Sequence, residues 1–318
     1  MAKKKLIAIV FSDLHLHIWS KFNKNHKRTL EGFRVLSYLS NKYPDVPALF
    51  CGDMFHKPHA LDFELLEHWK KLKVNKKWRV YAISGNHDLY HKNLPNNPKN
   101  SWVSLLENYW LSCFDFNEVA LTKHITVLGI PYCDNNAGIN EYLKNYLDKR
   151  EFNNKLKILM LHTTYPGAKD TDGREVESHD NINPNLLNQF DLILCGHIHK
   201  PQRLGKKIYM IGAPLQQRRT DKNCKLGYWE LYDDLSMKFI ELKDFPKFID
   251  VENEEDIKDD GNYYTVLPKK SSITPVTKHK ITKQLSKNAL ARKYMRAQGI
   301  KDNDKKNLLI KILKSTES

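Results

Sequence analysis

The chain has 318 residues, 41% of them hydrophobic, and a formal net charge of +15. That is enough for one large domain with a smaller appendage, and an excess of positive charge points to a polyanion or a membrane surface, or to a Lys- and Asn-rich genome. Five cysteines, an odd number with no Cys-x-x-Cys spacing, exclude a disulfide framework and favour a reducing compartment, and no run reaches the ~18 apolar residues of a membrane helix.

In chain order, MAKKKLIAIVFSD reads as a first strand and not as a leader, because its apolar run LIAIVF is short and leads straight into Asp13. Further buried strands are expected at PALF, VYAI, 125–132, LKILML, LILC and 206–213. Helices are expected at 26–42, 61–73, 101–111 and 138–150, with a short one near 184–189. Within 101–111, Trp102, Leu105, Leu106 and Tyr109 fall at helical spacing and read as core. Cys51 and Cys195, each before a Gly turn, read as small buried thiols.

The chemistry lies just past the strands. Asp13 and His15 follow LIAIVF, Asp53 follows PALF, Asn86 and His87 follow VYAI, His162 follows LKILML, and His197 and His199 follow LILC. Open α/β sheets place ligand sites past strand carboxyl ends, so five loops are expected to converge on one sheet edge. Carboxylates, neutral imidazoles and an amide oxygen suit two borderline-hard divalent cations such as manganese, iron or zinc, with Asp53 as the natural bridge. Such a pair lowers the pKa of a water and sets it to attack phosphorus in line. His87 would then stand where a phosphoryl or leaving oxygen lies and could donate to it. Each cluster alone is weak. Asp-x-His is often surface, Gly-Asn-His-Asp can be a plain turn, and His-x-His is often incidental. All five in this order, each behind a strand, are specific.

Over residues 6–214 the motifs Asp-x-His, Gly-Asp, Gly-Asn-His-Asp, His and Gly-His-x-His resemble those of the calcineurin-type metallophosphoesterases. The resemblance implies an α/β fold, a β-sandwich flanked by helices (α/β/β/α), rather than a single doubly wound sheet. It implies that Asp13, His15, Asp53 and His199 hold a first metal, and Asp53, Asn86, His162 and His197 a second, with manganese expected. It also implies that His87 stabilises the transition state and that Asp88 orients it. GDMFH, with His56 three residues after Asp53, is similar to the SbcD-type repair nucleases of the meiotic-recombination-eleven family. So are HTTYPG, GHIHKPQ and YMIGAPLQQ, and short phage-encoded members match best. In that family a histidine at the place of His56 helps position the substrate strand; the plainer reading is a surface histidine.

Lys92 and Lys99 in the long segment after Asp88, and Arg218 and Arg219 after the strand at 206–213, are candidate DNA-backbone contacts. Asp–Arg surface pairing is the rival reading for the arginines. The loop 166–183 is polar. Residues 1–243 are expected to form the nuclease domain, 244–268 a reduced cap with two short strands around the acidic DVENEEDIKDD, and 269–318 a basic linker and amphipathic helical tail. Residues 269–314 carry fourteen Lys or Arg against two Asp. Ile281, Leu285, Leu290, Tyr294 and Met295, then Leu308, Leu309, Ile312 and Leu313, recur at three- and four-residue spacing, with Asn303 or Asp304 as cap.

The expectation is a metal-dependent DNA nuclease subunit with 3′-to-5′ exonuclease and single-strand endonuclease character. Its expected setting is a bacterial or phage-infected cytoplasm, and its expected partners are DNA, an SbcC-type SMC-like ATPase and a second copy of itself. The alternatives are a phosphomonoesterase or small-molecule phosphodiesterase of the same superfamily, and a non-catalytic scaffold. His56 and the basic tail speak against the first, and the intact ligand set against the second.

Overall fold

Alternation along the apolar strands decides the layers. In β1 (Leu6–Phe11) Ile9 and Phe11 face one core, while Ile7, Ala8 and Val10 face another. A strand that buries both faces must lie between two packed layers, which is why these runs are apolar throughout.

The computed structural model describes residues 4–18, 27–92, 100–134, 136–149, 155–176 and 182–267. After β1 come α1 (Lys27–Lys42), β2 (Ala48–Phe50), α2 (Phe63–Lys71), β3 (Val80–Ala82), α3 (Trp102–Leu105) and β4 (Leu111–Cys113). Then follow β5 (Glu118–Thr122), β6 (Ile125–Ile130), α4 (Asn136–Asp148), β7 (Leu156–His162), α5 (Pro184–Leu187) and β8 (Leu192–Gly196). The last elements are β9 (Gln202–Leu204), β10 (Ile208–Met210), β11 (Gly227–Tyr232), β12 (Met237–Glu241), β13 (Phe248–Val251) and β14 (Tyr263–Val266).

Two six-stranded mixed sheets result, ordered β12-β11-β1-β2-β3-β4 and β5-β6-β7-β8-β10-β9. Their facing sides share a core of Val10, Leu49, Ile83, Val127, Met160 and Leu194. The outer face of the first sheet meets α1 and α2 through Phe33, Leu36, Leu39, Leu65 and Trp69. The outer face of the second meets α4 and α5 through Ile139, Leu143 and Leu187. The architecture is therefore the four-layered helix-flanked sandwich, and the ligand loops leave two sheets, not one edge of one sheet.

Cys51 and Cys195 are fully buried, and all five cysteines are free thiols. Among the described residues no helix is long and apolar enough to cross a membrane.

The helix expected over 101–111 is shorter. Ser101 caps it by accepting from the Ser104 N–H at 3.0 Å, but it ends after Leu105. The Asn108 side chain accepts from the N–H groups of Trp110 and Leu111, at 3.0 and 3.1 Å, and turns the chain into β4. An Asn that serves the backbone this way competes with helix continuation. The core stripe read from the spacing holds only in part: Trp102 and Leu106 pack against the core, whereas Leu105 and Tyr109 are 67% and 57% exposed and Val103 and Trp110 are buried in their place. The two short strands expected around the acidic loop are β13 and β14, which pair in parallel. The helices expected in the tail, Lys99 and residues 177–181 of the polar loop lie outside the described residues.

Candidate metal centre

Four of the candidate ligands sit in left-handed backbone: Asp13 (φ 53°), His15 (47°), Asp53 (60°) and His197 (90°). Each such non-glycine residue costs ~1–3 kcal/mol and persists only where neighbours over-determine it. Here the loops leaving β1 and β2 run side by side. The N–H groups of Asp13, His15 and Leu16 donate to the carbonyls of Gly52, Asp53 and Met54, at 2.9, 3.0 and 2.8 Å. The His197 N–H donates to both Asp13 carboxylate oxygens at 3.1 Å, which ties the second sheet to the first. Glycine precedes Asp53 and His197 because the two sheets touch there. A Cβ on Gly196 would stand 2.1 Å from the Cys51 carbonyl oxygen, and one on Gly52 (φ 97°) 2.3 Å from His162 Nδ1.

The seven candidate ligands gather into two adjoining groups. In one, His15 Nε2 lies 3.2 Å from His199 Nε2, 3.9 Å from Asp13 Oδ1 and 3.6 Å from Asp53 Oδ2. In the other, His162 Nε2 lies 3.3 Å from Asp53 Oδ2 and 3.1 Å from Asn86 Oδ1, and His197 Nδ1 lies 3.0 Å from the same amide oxygen. Asp53 Oδ2 is common to both. Asp13, His15, Asp53 and His162 are all buried.

This donor set fits divalent cations. His162 donates Nδ1–H to the Cys51 carbonyl at 2.7 Å, so its neutral form turns a lone pair on Nε2 toward two oxygen acceptors. His15 and His199 likewise present ring nitrogens to one another and to carboxylates. Acceptors this close, removed from water, call for positive charge between them. In the protein alone that charge falls on protons. Burial works against a charged His162, but Asp53 outweighs it and pushes the imidazole up to about 9. Burial also opposes ionisation of Asp53, yet His162, then His15 and His87, hold its carboxyl far below the usual range. Burial drives His15 well down despite Asp53, and raises Asp13 despite His162 and His199.

His87 and His56 flank this centre. His87 donates Nδ1–H to the His56 carbonyl at 2.6 Å, and its backbone N–H donates to Asp53 Oδ1 at 2.8 Å. The two rings stack at 5.1 Å and 13°, and His56 Nδ1 is 3.4 Å from His15 Nδ1. Asp88 departs from expectation. Its carboxylate accepts four backbone N–H bonds, from Asp53, Met54, Phe55 and Gly85 at 2.8–3.2 Å, and so fastens the Asp53 loop to the Asn86 turn. Burial, with Asp53 behind it, pushes Asp88 up to about 8, while its bonds from the Phe55 and Gly85 N–H groups pull it down. The group that orients the His87 ring is the His56 carbonyl.

A cavity of about 650 Å³ opens onto the centre, lined among others by His17, His56, His87, Asp170, Gln217 and Arg218. A larger one, about 740 Å³ and lined by Arg34, Phe245 and Tyr263, holds none of the candidate ligands. The two arginines part company: Arg218 borders the metal-site cavity, whereas Arg219 pairs with Asp250 at 2.8 Å. Lys92 lies over the Tyr132 ring at 5.9 Å.

Sequence reading missed Asp221, Gln217 and His17. Asp221, fully buried, places Oδ2 3.5 Å from His199 Nδ1, an ion-pairing distance rather than a tight hydrogen bond, and Oδ1 3.6 Å from the Arg218 guanidinium. Burial opposes its charge, but His199 and the Gln217 and Arg218 N–H groups lower its pKa. A carboxylate behind a ligating imidazole fixes the ring and its tautomer. Gln217 Nε2 donates to the carbonyls of Asp13 and Leu14, at 3.2 and 3.1 Å, and so braces the first loop. For Gln217 and Asp221 the signal in the sequence was a polar run, QQRRTD, directly after a strand turn, and His17 ends the stretch FSDLHLH.

A profile of the calcineurin-like phosphoesterases matches residues 8–201. Among curated proteins, the "Putative phosphoesterase 244L" of Invertebrate iridescent virus 6 is 26% identical over 171 residues, 52% of this chain and 56% of that protein. The chain thus spans about half the length of that relative. Among solved structures, TT1561 of Thermus thermophilus is 12% identical with a TM-score of 0.44, covering 74% of this chain and 97% of that one. A "Putative 5'-Nucleotidase from Staphylococcus aureus in complex with alpha-ketoglutarate" is 13% identical with a TM-score of 0.41, covering 74% and 52%.

Proposed function

The chain belongs to the calcineurin-like phosphoesterase family, and from that premise we propose that it is a dinuclear-metal phosphodiesterase that cuts DNA as an SbcD-type nuclease subunit. The observation that carries this reading is His56. Its ring stands in the cavity wall, stacked on His87 and 3.4 Å from His15, where a strand entering the centre would meet it.

The roles follow from the contacts. Asp13, His15, Asp53 and His199 would hold one cation, and Asp53, Asn86, His162 and His197 the other. Bound cations supply charge for the phosphoryl oxygens and acidify a water. His87, with Nδ1–H committed to the His56 carbonyl, keeps Nε2 for a phosphoryl or leaving oxygen. Asp88 keeps Asp53 and Asn86 in register. Arg218, whose guanidinium lies 3.6 Å from Asp221, would take a flanking phosphate of the strand. The basic segment 269–301 is assigned to DNA backbone, and 303–314 to an SbcC-type ATPase; a second copy of the chain is the remaining proposed partner.

The test is digestion of end-labelled single- and double-stranded DNA with manganese, with and without the ATPase. Cleavage that requires His87 supports the reading. Hydrolysis of a chromogenic phosphomonoester with DNA left intact replaces it with a phosphomonoesterase.

A further inference from the structure

The stretch FSDLHLH contains a second histidine, His17, that neither the ligand set nor the proposed reaction uses. The reason it reaches the site is the register of two loops. Leu16 and Phe55 form a parallel bridge, both buried, and the His56 N–H donates to the Leu16 carbonyl at 3.3 Å. In paired extended chains the residues that follow a bridged pair stand side by side and face the opposite way. His17 and His56 are those residues, and both line the cavity.

Their rings stack at 4.3 Å and 27°. His17 is itself anchored, since its Nδ1–H donates to the His15 carbonyl at 2.7 Å. His56 is in turn stacked on His87, so three imidazoles form one wall: His17, His56, His87. The outer member is tied to the loop that carries Asp13 and His15. The inner member is tied to the His56 carbonyl. Between them, a half-buried side chain on a loop would otherwise have two free torsions.

We propose that His17 is a positioning residue for His56: its ring braces the His56 imidazole and sets the orientation in which it meets the substrate strand. This rests on the reading of His56 given above. It adds a residue that works through His56 without touching the reacting atoms.

The experiment compares His17→Ala, His17→Phe, His56→Ala and the His17→Ala/His56→Ala double variant of the full chain. It uses bis(p-nitrophenyl) phosphate and single-stranded DNA as substrates, with manganese. An aromatic contact of this kind is worth about two- to tenfold. His17→Ala is expected to lose about that factor in kcat with KM for the small diester and manganese content unchanged. His17→Phe, which keeps a ring, should recover most of it. In the His56→Ala background, removing His17 should cost nothing further, because residues acting through one another are not additive. In metal-free protein with ¹³C-labelled histidine, the His56 ring resonance should shift in His17→Ala and hold in His17→Phe, a readout independent of turnover. Additive losses, a phenylalanine no better than alanine, or an unmoved His56 resonance each overturn the proposal. Loss of manganese in His17→Ala also overturns it, because His17 would then act through His15. Where His17→Ala does not fold, His17→Phe with and without His56→Ala carries the same comparison. A wild-type protein that hydrolyses the diester and leaves DNA intact refutes the DNA reading while the coupling is still measured.

Discussion

Replacing Asp88 separates two accounts of the Gly-Asn-His-Asp motif. If Asp88 oriented His87, Asp88→Asn would lower kcat and leave stability alone. The structure makes the opposite demand. The carboxylate is fully buried and accepts four backbone N–H bonds at 2.8–3.2 Å from residues on two loops. A buried donor left without a partner costs ~1–3 kcal/mol. Four would total ~4–12 kcal/mol, which water entering the vacated space reduces, so Asp88→Ala is expected to cost about 5 kcal/mol. That is a large part of the ~5–15 kcal/mol that holds most domains folded. Asp88→Asn keeps one oxygen but turns an NH₂ toward donors, and about half the loss is expected. At ~2–4 °C per kcal/mol, the alanine variant should melt ~10–20 °C lower. The assay is urea and thermal unfolding with manganese content measured in parallel. Because the same bonds hold Asp53 beside Asn86, metal should be lost together with stability. An Asp88→Ala protein within about 1 kcal/mol of wild type that still binds two manganese ions refutes this reasoning.

Five further outcomes are expected. Asp53→Ala should lose both ions in elemental analysis, because its carboxylate serves both groups of ligands; unchanged stoichiometry would remove the bridging role. His87→Ala should keep its metal and DNA affinity and lose about 10²-fold or more in rate, the scale of one proton or oxyanion donor, and metal loss would make it a ligand instead. Asp115 is buried and bonded to the Ser84 N–H and hydroxyl at 2.8 and 2.6 Å, and burial outweighs those bonds and lifts its carboxyl to about 6. A raised folded-state pKa favours the protonated group. Its contribution to stability is therefore fully present below pH ~4 and lost as pH rises through ~6. Asp115→Asn should remove that part of the pH dependence, about 2–3 kcal/mol between pH 4 and 7 in urea unfolding, and parallel curves would exclude it. Deleting residues 300–318 should keep basal manganese-dependent nuclease activity and abolish co-purification with the ATPase. Neutralising lysines in 269–301 should flatten the salt dependence of DNA binding, and an unchanged slope would free that segment of the role.

The candidate donors were legible in the chain because strand carboxyl ends are local features. A short apolar run followed by Gly and then Asp or His states both the strand and what stands at its end, as LFCGD and LILCGH do. The helices over Lys27–Lys42 and Asn136–Asp148 were legible for the same reason, since their periods are read within one segment. The short α3 was not, because Asn108 ends the helical path through its own side chain and spacing cannot register that. Sheet membership was not legible from periodicity either. A strand buried on both faces has the same composition in a single doubly wound sheet as in a sandwich, and only packing placed β1, β2 and β3 in one sheet and β7 and β8 in the other. The supporting groups depended wholly on tertiary structure. Asp88 meets Asp53 across 35 positions, His17 meets His56 across 39, and Asp221 meets His199 across 22. Short polar side chains carry no period and fit many surface roles. What makes them part of the centre is the close approach of two sheets at glycines, which the chain allows and only the folded packing brings about.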